Sequence, residues 1–205
     1  MSIFGLALAV MISFLVGEDF DGGFIRNKIV AGVNRKNIYF SGLISTLVAS
    51  LVVYLITCLF TFLIGSLLFE SNVSIQYFIF SLVLGLFMVC SYCSIYYFIA
   101  MATGNKIKAL VISFILAFLL LFIGMWDNQI MVQTYLKNGV LNPNYVGGIT
   151  RVIHSLSFDI NPAGQAAQLS AMKFLNPIHF VVFDVLICII FALLGKIIFN
   201  RKDLL

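Results

Sequence analysis

The sequence predicts an all-α membrane protein with about five transmembrane helices, and three observations support that prediction. First, 62% of the 205 residues are hydrophobic and 10% are charged, whereas a typical soluble domain is about 45–50% apolar and about 25% charged. Second, long apolar segments alternate with polar ones. Third, Lys and Arg cluster in alternate loops. Because a soluble fold of this length cannot hide so much apolar surface from water, most of that surface must face lipid.

Five apolar segments are candidates for membrane-crossing helices, which need about 20 residues. They are residues 2–17, 42–69, 77–102, 107–126 and 178–199. The first is short for a span, and the second and third exceed the minimum, so we expect these two to be tilted or to have interfacial ends. Residues 1–205 therefore form a single transmembrane domain, and no segment has the composition of a soluble domain.

The distribution of Lys and Arg predicts the topology. Loop 18–41, turn 103–108 and the C-terminal tail carry nine of the twelve Lys and Arg, whereas loop 70–76 has none and segment 127–177 has three. The positive-inside rule places the three basic segments in the cytoplasm and segment 127–177 outside. The N-terminus is then external. Because residues 1–17 lack the basic start and the cleavage site of a signal peptide, we expect either that an upstream helix is missing or that the chain is an unusually short member of its family.

The external segment 127–177 has two predicted helices of its own. Residues 149–158 form a short amphipathic pattern. Asn161 and Pro162 then supply a helix cap and a proline at the first helical position, which predicts a second helix from Ala163 onward. Its apolar residues and low charge indicate that it lies against the outer face of the membrane.

Motifs for enzymatic chemistry are absent from the sequence. There is no phosphate-binding loop, no H-E-x-x-H and no G-x-S-x-G, so we expect neither catalysis nor a bound cofactor in this chain. His154 and His179 have too few partners for a metal site, and the pair Cys90 and Cys93 lacks the solvent access or further ligands that redox and zinc sites need. The net charge of +4 reflects membrane topology and does not indicate nucleic-acid binding.

Asp184 is the exception among the apolar spans. It lies about seven residues into the last span, roughly 10 Å below the outer boundary. An ionisable residue within a membrane is a candidate functional residue, and Asp184 is a candidate for a substrate pathway. The alternative is a structural role, in which it reaches the interface or bonds to a hydroxyl group of a neighbouring helix. His179, about one turn earlier, is expected on the same side as its nearest partner.

The run at 90–98, CSYCSIYYF, combines small residues with tyrosines. Small residues allow helices to approach closely, and Tyr can bond across helices, so helix packing or an interfacial belt is one interpretation. The alternative is that Tyr96 and Tyr97 line a path for an amphipathic substrate. One shallow acid gives little support for coupling to protons or sodium.

Loop 18–41 contains a predicted short helix at about residues 23–31. Acids precede Gly22 and Gly23, and Gly32 follows the apolar and basic run, which is the pattern expected at the two ends of a helix. A helix this short is not stable alone in water. It therefore needs a surface to lie on, either the bilayer or a groove of a partner protein.

The run GGFIRNKIVAGVNRKNIYFSGLI resembles the segment between the second and third spans of ABC-2-type transporter permeases. The ending FNRKDL and the run NPAGQAAQL resemble the end and the external helix of the same family, so the resemblance covers most of the chain. Phe24 stands where Thr is common. The residues that the resemblance assigns to coupling are Gly23, Phe24, Ile25, Arg26, Asn27, Lys28, Gly32 and Arg35, with further matches at Ile38, Tyr39 and Ser41.

The resemblance implies the membrane subunit of a bacterial ATP-driven exporter in the cell membrane. Its coupling helix would lie in a groove of a separate ATP-binding subunit that binds ATP and Mg²⁺. The transporter would contain two such subunits and a second permease, the same or a related chain. Such permeases usually have six spans, and this sequence has one fewer. The expected substrate is an amphipathic peptide, an antimicrobial or toxin, or a lipid-like molecule. The alternatives are a non-transporting scaffold or immunity protein, whose basic loop binds anionic lipid, and an ion-coupled carrier.

Overall fold

A computed structural model describes residues 3–68, 75–137, 140–171 and 174–201. In these ranges the regular secondary structure is helical apart from one two-residue antiparallel ladder. The elements are α1 (Phe4–Asp21), α2 (Phe24–Val30), α3 (Arg35–Leu68), α4 (Ile75–Thr103), α5 (Lys106–Val132), β1 (Leu136–Lys137), β2 (Val140–Leu141), α6 (Gly148–Ile160), α7 (Pro162–Ala171) and α8 (Pro177–Arg201).

Four helices, α3, α4, α5 and α8, are long and apolar enough to cross a membrane. They include the predicted spans 77–102, 107–126 and 178–199 and nearly all of span 42–69, whose last residue lies outside the described ranges. The chain is thus an all-helical, multi-pass membrane protein. From Phe4 onward the predicted first span, 2–17, lies on α1, which is not one of the four, and Ser2 lies outside the described residues. The apolar stretch of α1 is about 21 Å long at 1.5 Å per residue, less than the roughly 30 Å of the hydrocarbon core.

Helix α4 is the centre of the bundle, because it packs against α1, α3, α5, α7 and α8. The buried side chains of α4 include Tyr92, Tyr96 and Tyr97. The outer faces of α3 and α8 instead expose rows of Val, Ile and Leu. Such rows are unfavourable in water and well solvated by lipid tails, so the pattern of exposure agrees with a membrane-embedded bundle.

Glycines let the helices approach one another at four tyrosines. A Cβ atom added to any of these glycines would come closer to a tyrosine side chain of another helix, at its ring or its hydroxyl group, than real Cβ atoms come. Small residues at such crossings allow the close backbone approach that stabilises helix pairs in membranes. The pairs are Gly5 with Tyr92, Gly42 with Tyr97, Gly85 with Tyr54 and Gly195 with Tyr39.

Side-chain contacts bring the basic segments to one end of the bundle, which we call the basic end (the α1–α3 connection, the α4–α5 turn and the end of α8). The Nζ of Lys106 lies 3.1 Å from Oε1 of Glu18, which joins the start of α5 to the end of α1. Arg35 donates through Nη1 to the carbonyl oxygen of Asn200 over 3.2 Å, which joins the start of α3 to the end of α8. The three basic segments therefore lie at the same end of the bundle, as the topology prediction requires.

At the opposite end, α6 and α7 form a hairpin that re-enters the bundle along α5. Near the outer end of α5, Arg151 donates to the carbonyl oxygens of Gln133 and Met131, each over 3.2 Å. At the tip of the hairpin, Asn161 donates to the carbonyl oxygen of Leu120 over 2.7 Å. The thirteen positions from Gln133 to Leu120 correspond to about 20 Å of helix, so the tip lies far inside the end of α5.

The predicted helices of the external segment are confirmed, but the expected position of the second is wrong. Helix α6 contains residues 149–158, and α7 begins at Pro162 with Asn161 capping it, since Asn161 Oδ1 accepts from the backbone N–H of Ala163 over 3.0 Å. Helix α7 does not lie on the outer face, because most of its residues are buried against α4, α5 and α6. Gly124 of α5 explains this position, since its Cα directly faces the backbone of Gly164 and the two helices meet without intervening side chains.

Candidate functional site

The predicted helix of loop 18–41 is present as α2, and glycines define both of its ends. Gly23 precedes it with φ of 69°, and Gly32 follows it with φ of 82°, conformations that glycine adopts at little cost. At the C-terminal end, the N–H of Val33 donates to the carbonyl oxygen of Lys28 over 3.0 Å. A 6→1 bond that closes over a left-handed glycine is the Schellman motif, so α2 stops at a defined point.

The acids expected to precede α2 instead belong to the end of α1, which continues to Asp21. Helix α3 begins earlier than the predicted span, at Arg35. The connection between α1 and α3 is therefore shorter than loop 18–41. Only residues 22–23 separate α2 from α1, and only residues 31–34 separate it from α3.

Helix α2 is anchored on one side and exposed on the other. Ile25 is buried, at 3% exposed, and α2 contacts α1 and α3. The side chains of Phe24 and Val30 are 58% and 71% exposed. Among the other predicted coupling residues, Arg26, Asn27 and Lys28 are exposed, whereas Arg35 is bonded to Asn200 at the end of α8. The exposed side therefore combines apolar and basic groups.

Asp184 is buried at 0% exposure where α4, α7 and α8 meet. Ser91 of α4 and Gln165 of α7 are the polar side chains that interact with it. Neither oxygen of the carboxyl group has a hydrogen-bonding partner among the described residues. Asp184 is therefore enclosed within the bundle, and among the described residues no Lys, Arg or His forms an ion pair with it.

His179 does not lie beside Asp184, contrary to the expectation from their spacing. Its Nδ1 is 3.6 Å from Oδ2 of Asp159 in α6. Five residues of an α-helix turn the chain by about 140° beyond one full turn, which separates the two side chains around α8. Asp159 is 1% exposed and accepts from Nε2 of Gln168 over 3.0 Å, so His179 contributes to the contact between α8 and the hairpin.

Tyr96 and Tyr97 are both buried in the bundle, at 0% and 1% exposure. The hydroxyl group of Tyr97 donates to the carbonyl oxygen of Tyr39 over 2.8 Å, and its ring contacts Gly42. The ring of Tyr96 stacks on that of Tyr92 with centroids 5.6 Å apart. Tyr97 therefore joins α4 to α3, whereas Tyr96 stacks on a residue of its own helix.

The sequence analysis missed one polar cluster, formed by Asp127 with residues of α6. Asp127 is 2% exposed, and its Oδ1 lies 2.7 Å from Nδ1 of His154. Its Oδ2 accepts from the hydroxyl group of Ser157 over 2.6 Å. The sequence does contain a pattern that indicates this cluster. Arg151, His154 and Ser157 recur every three residues and so share one face of α6.

That polar face of α6 turns toward α5, and the apolar face remains exposed. The exposed apolar residues are Ile149, Val152, Ile153, Leu156 and Ile160. A helix that presents one polar and one apolar face lies at a boundary between polar groups and lipid. Here the polar partners are groups of α5 and its C-terminal end. The polar side chains of α6 therefore find their hydrogen-bonding partners inside the protein.

Two further features bear on ligand binding, namely the grouping of metal-ligating side chains and a groove on α3. In the described part of the chain, no group of three or more His, Cys, Asp or Glu side chains is arranged to hold a metal ion. An open groove on α3 is lined by Ile56, Thr57, Phe60, Thr61, Ile64 and Gly65. It is predominantly apolar and faces outward, so it offers contact to lipid tails or to another helix.

Comparisons with known proteins leave the chain without an assigned family. No family model matches it, no curated protein is similar to it, and no solved structure matches its fold.

Proposed function

We propose that this chain is the membrane subunit of an ATP-driven ABC exporter, which receives mechanical work from a separate ATP-binding subunit through α2. The observation that supports this proposal best is the construction of α2. It is a short helix with fixed ends, joined closely to two helices of the bundle, with exposed apolar and basic side chains on its free side. These are the properties of a docking element that transmits displacement.

The side chains of α2 favour a protein groove with acidic walls as its seat. Phe24 and Val30 bury apolar area when they dock, and Arg26 and Lys28 pair with carboxylates at the rim, where charge sets orientation and specificity. Ile25 holds the helix to the bundle. Closure of the ATP-binding subunits would then push α2 and tilt α1 and α3.

The rest of the assembly follows from this division of labour. The sequence contains no phosphate-binding loop, so ATP and Mg²⁺ are held by the partner, in two copies, and a second permease completes the transporter. The basic end is cytoplasmic by the positive-inside rule, and the assembly resides in the cell membrane. The apolar, aromatic-rich helices favour export of an amphipathic peptide, antimicrobial, toxin or lipid-like substrate.

A co-purification experiment tests the proposal. The tagged chain is purified from membranes of its own cells in a mild detergent, and the eluate is tested for ATP hydrolysis and for a chain that is labelled by a photoreactive ATP analogue. The double variant Arg26→Glu/Lys28→Glu should lose both signals. Lys108→Glu is the matched control, because Lys108 is exposed at the same end of the bundle but belongs to α5.

Two outcomes would contradict the proposal. One is an eluate of the unchanged chain without ATPase activity or a labelled chain. The other is retention of both signals by the double variant. Binding of the unchanged chain to vesicles containing anionic lipid, lost in the double variant, would in that case favour the scaffold or immunity alternative.

A further inference from the structure

Two fully buried polar side chains, Asp184 and Gln165, face each other where the hairpin contacts α8. Both oxygens of Asp184 lack a partner among the described residues, and so does Oε1 of Gln165. Asp184 and Gln165 are each 0% exposed, and the two side chains interact. Buried groups of this kind are rarely left unpaired, because each loses its hydration without replacement.

Among the described residues, no Lys, Arg or His forms an ion pair with Asp184. The titratable groups that face it are the thiols of Cys90 and Cys188 and the phenol of Tyr92, which are neutral or negative. Gln165 is the group of α7 that faces it, and His179 is paired with Asp159 of α6 instead. An ionised carboxylate in such a place is strongly unfavourable.

We propose that Asp184 is a proton-binding site and that it is occupied by a proton in this conformation. As a neutral carboxylic acid, Asp184 is a donor, and its O–H donates to Oε1 of Gln165. One hydrogen bond then satisfies two of the unpaired groups and fastens α7 to α8. A proton also requires no coordination shell, whereas Ca²⁺ and Mg²⁺ need six or more oxygen ligands, far more than Asp184, Gln165 and Ser91 provide.

The contact between the hairpin and α8 then depends on whether Asp184 carries its proton. When the acid releases its proton to water, the remaining carboxylate needs water or a cation, and neither fits the closed contact. Loss of the proton therefore favours separation of α7 from α8 at the outer half of the bundle. This inference concerns the hairpin contact alone and does not depend on the proposed ATP-driven transport.

Asp127 supplies an internal contrast. It is as deeply buried as Asp184, but its two oxygens pair with His154 and Ser157. A method that distinguishes a neutral carboxylic acid from a carboxylate should detect the proton on Asp184, and the variant Asp127→Asn is its control.

Infrared spectroscopy of the purified chain in lipid nanodiscs at neutral pH makes this distinction, through the carbonyl-stretching band of protonated carboxylic acids. The unchanged protein should show this band, Asp184→Asn should lack it, and Asp127→Asn should retain it. Gln165→Leu, which removes the acceptor, should move the band to higher wavenumber. This last comparison stands even if Asp184→Asn fails to fold.

Three results would overturn the inference. The first is a band at neutral pH that Asp184→Asn leaves unchanged, or no band at all. The second is a band that Gln165→Leu does not shift. The third is a band that disappears when sodium or potassium is added at constant pH, since displacement of the proton by such an ion would make the site a cation site.

Discussion

The side-chain amide of Asn161 donates to the carbonyl oxygen of Leu120 across 2.7 Å, near the middle of α5. The oxygen of the same amide accepts from the N–H of Ala163 and caps α7. One side chain thus fixes the tip of the hairpin to a spanning helix and starts the helix that follows. The depth of the hairpin in the bundle therefore depends on Asn161.

Replacement of Asn161 by Ala should destabilise the protein by about 2 kcal/mol, because it removes a cap worth about 1 kcal/mol and a buried hydrogen bond worth about 1 kcal/mol. The expected result is a lower midpoint of thermal unfolding in lipid nanodiscs. Asn37→Ala, at an exposed position of α3, is the control and should leave the midpoint nearly unchanged. Equal midpoints for the two variants would show that the Asn161 contacts do not stabilise the hairpin.

The contact between Gly195 and Tyr39 should behave as a coupled pair. A Cβ atom at position 195 collides with the hydroxyl group of Tyr39, so Gly195→Ala should cost about 1–3 kcal/mol through overpacking. That hydroxyl group is buried and has no hydrogen-bonding partner in the described part of the chain, so Tyr39→Phe should cost little alone and should rescue Gly195→Ala. A double-mutant cycle on the free energy of unfolding measures the coupling.

Gly65 provides the matched control for this cycle. It also lies in a long apolar helix, but apart from its neighbours and the backbone of its own helix, none of the described residues has an atom within 4 Å of an added Cβ there. Gly65→Ala should be neutral or stabilise the helix by up to about 1 kcal/mol, from helix propensity alone. A loss of stability at Gly65 equal to that at Gly195 would mean that Tyr39 is not the cause.

The Asp127 cluster should hold α6 against α5. In Asp127→Ala, the half-buried side chains of His154 and Ser157 lose their shared partner, and we expect a cost of about 1 kcal/mol for each hydrogen bond. We expect faster hydrogen exchange across residues 148–160, measured by mass spectrometry, and little change in α4. Asp19→Ala, an exposed acid at the basic end, is the control. Unchanged exchange in α6 would assign the position of that helix to its other contacts, such as those of Arg151.

The apolar lengths and the charge pattern were sufficient to predict the long helices. Their signal is strong because the bilayer fixes the required length and each segment carries it independently. Local chemistry was sufficient for α2 and for the start of α7, where Gly32 and Asn161 act within one turn of the helix end. The four spanning helices and these two ends therefore followed from the sequence alone.

The hairpin and its polar contacts could not be predicted in the same way. Asp127, His154 and Asp159 are far apart in sequence or on different helices, and their pairing depends on how deeply α6 and α7 enter the bundle. That depth arises from the close approach of Gly124 and Gly164, which no local pattern encodes. The expected pairing of His179 with Asp184 was wrong because five residues place the two side chains on different sides of a helix.

Site-specific photocrosslinking from α2 tests the proposed exporter function most directly. A photoreactive amino acid replaces Phe24 in the chain expressed in its own cells, and crosslinked partners are identified by mass spectrometry. The control carries the same group at Ile107, which is 73% exposed near the start of α5 at the same end of the bundle. We expect position 24 to crosslink to a chain that contains a phosphate-binding loop. We expect no such crosslink from position 107. No protein crosslink from position 24, or crosslinks only to lipid, would contradict it.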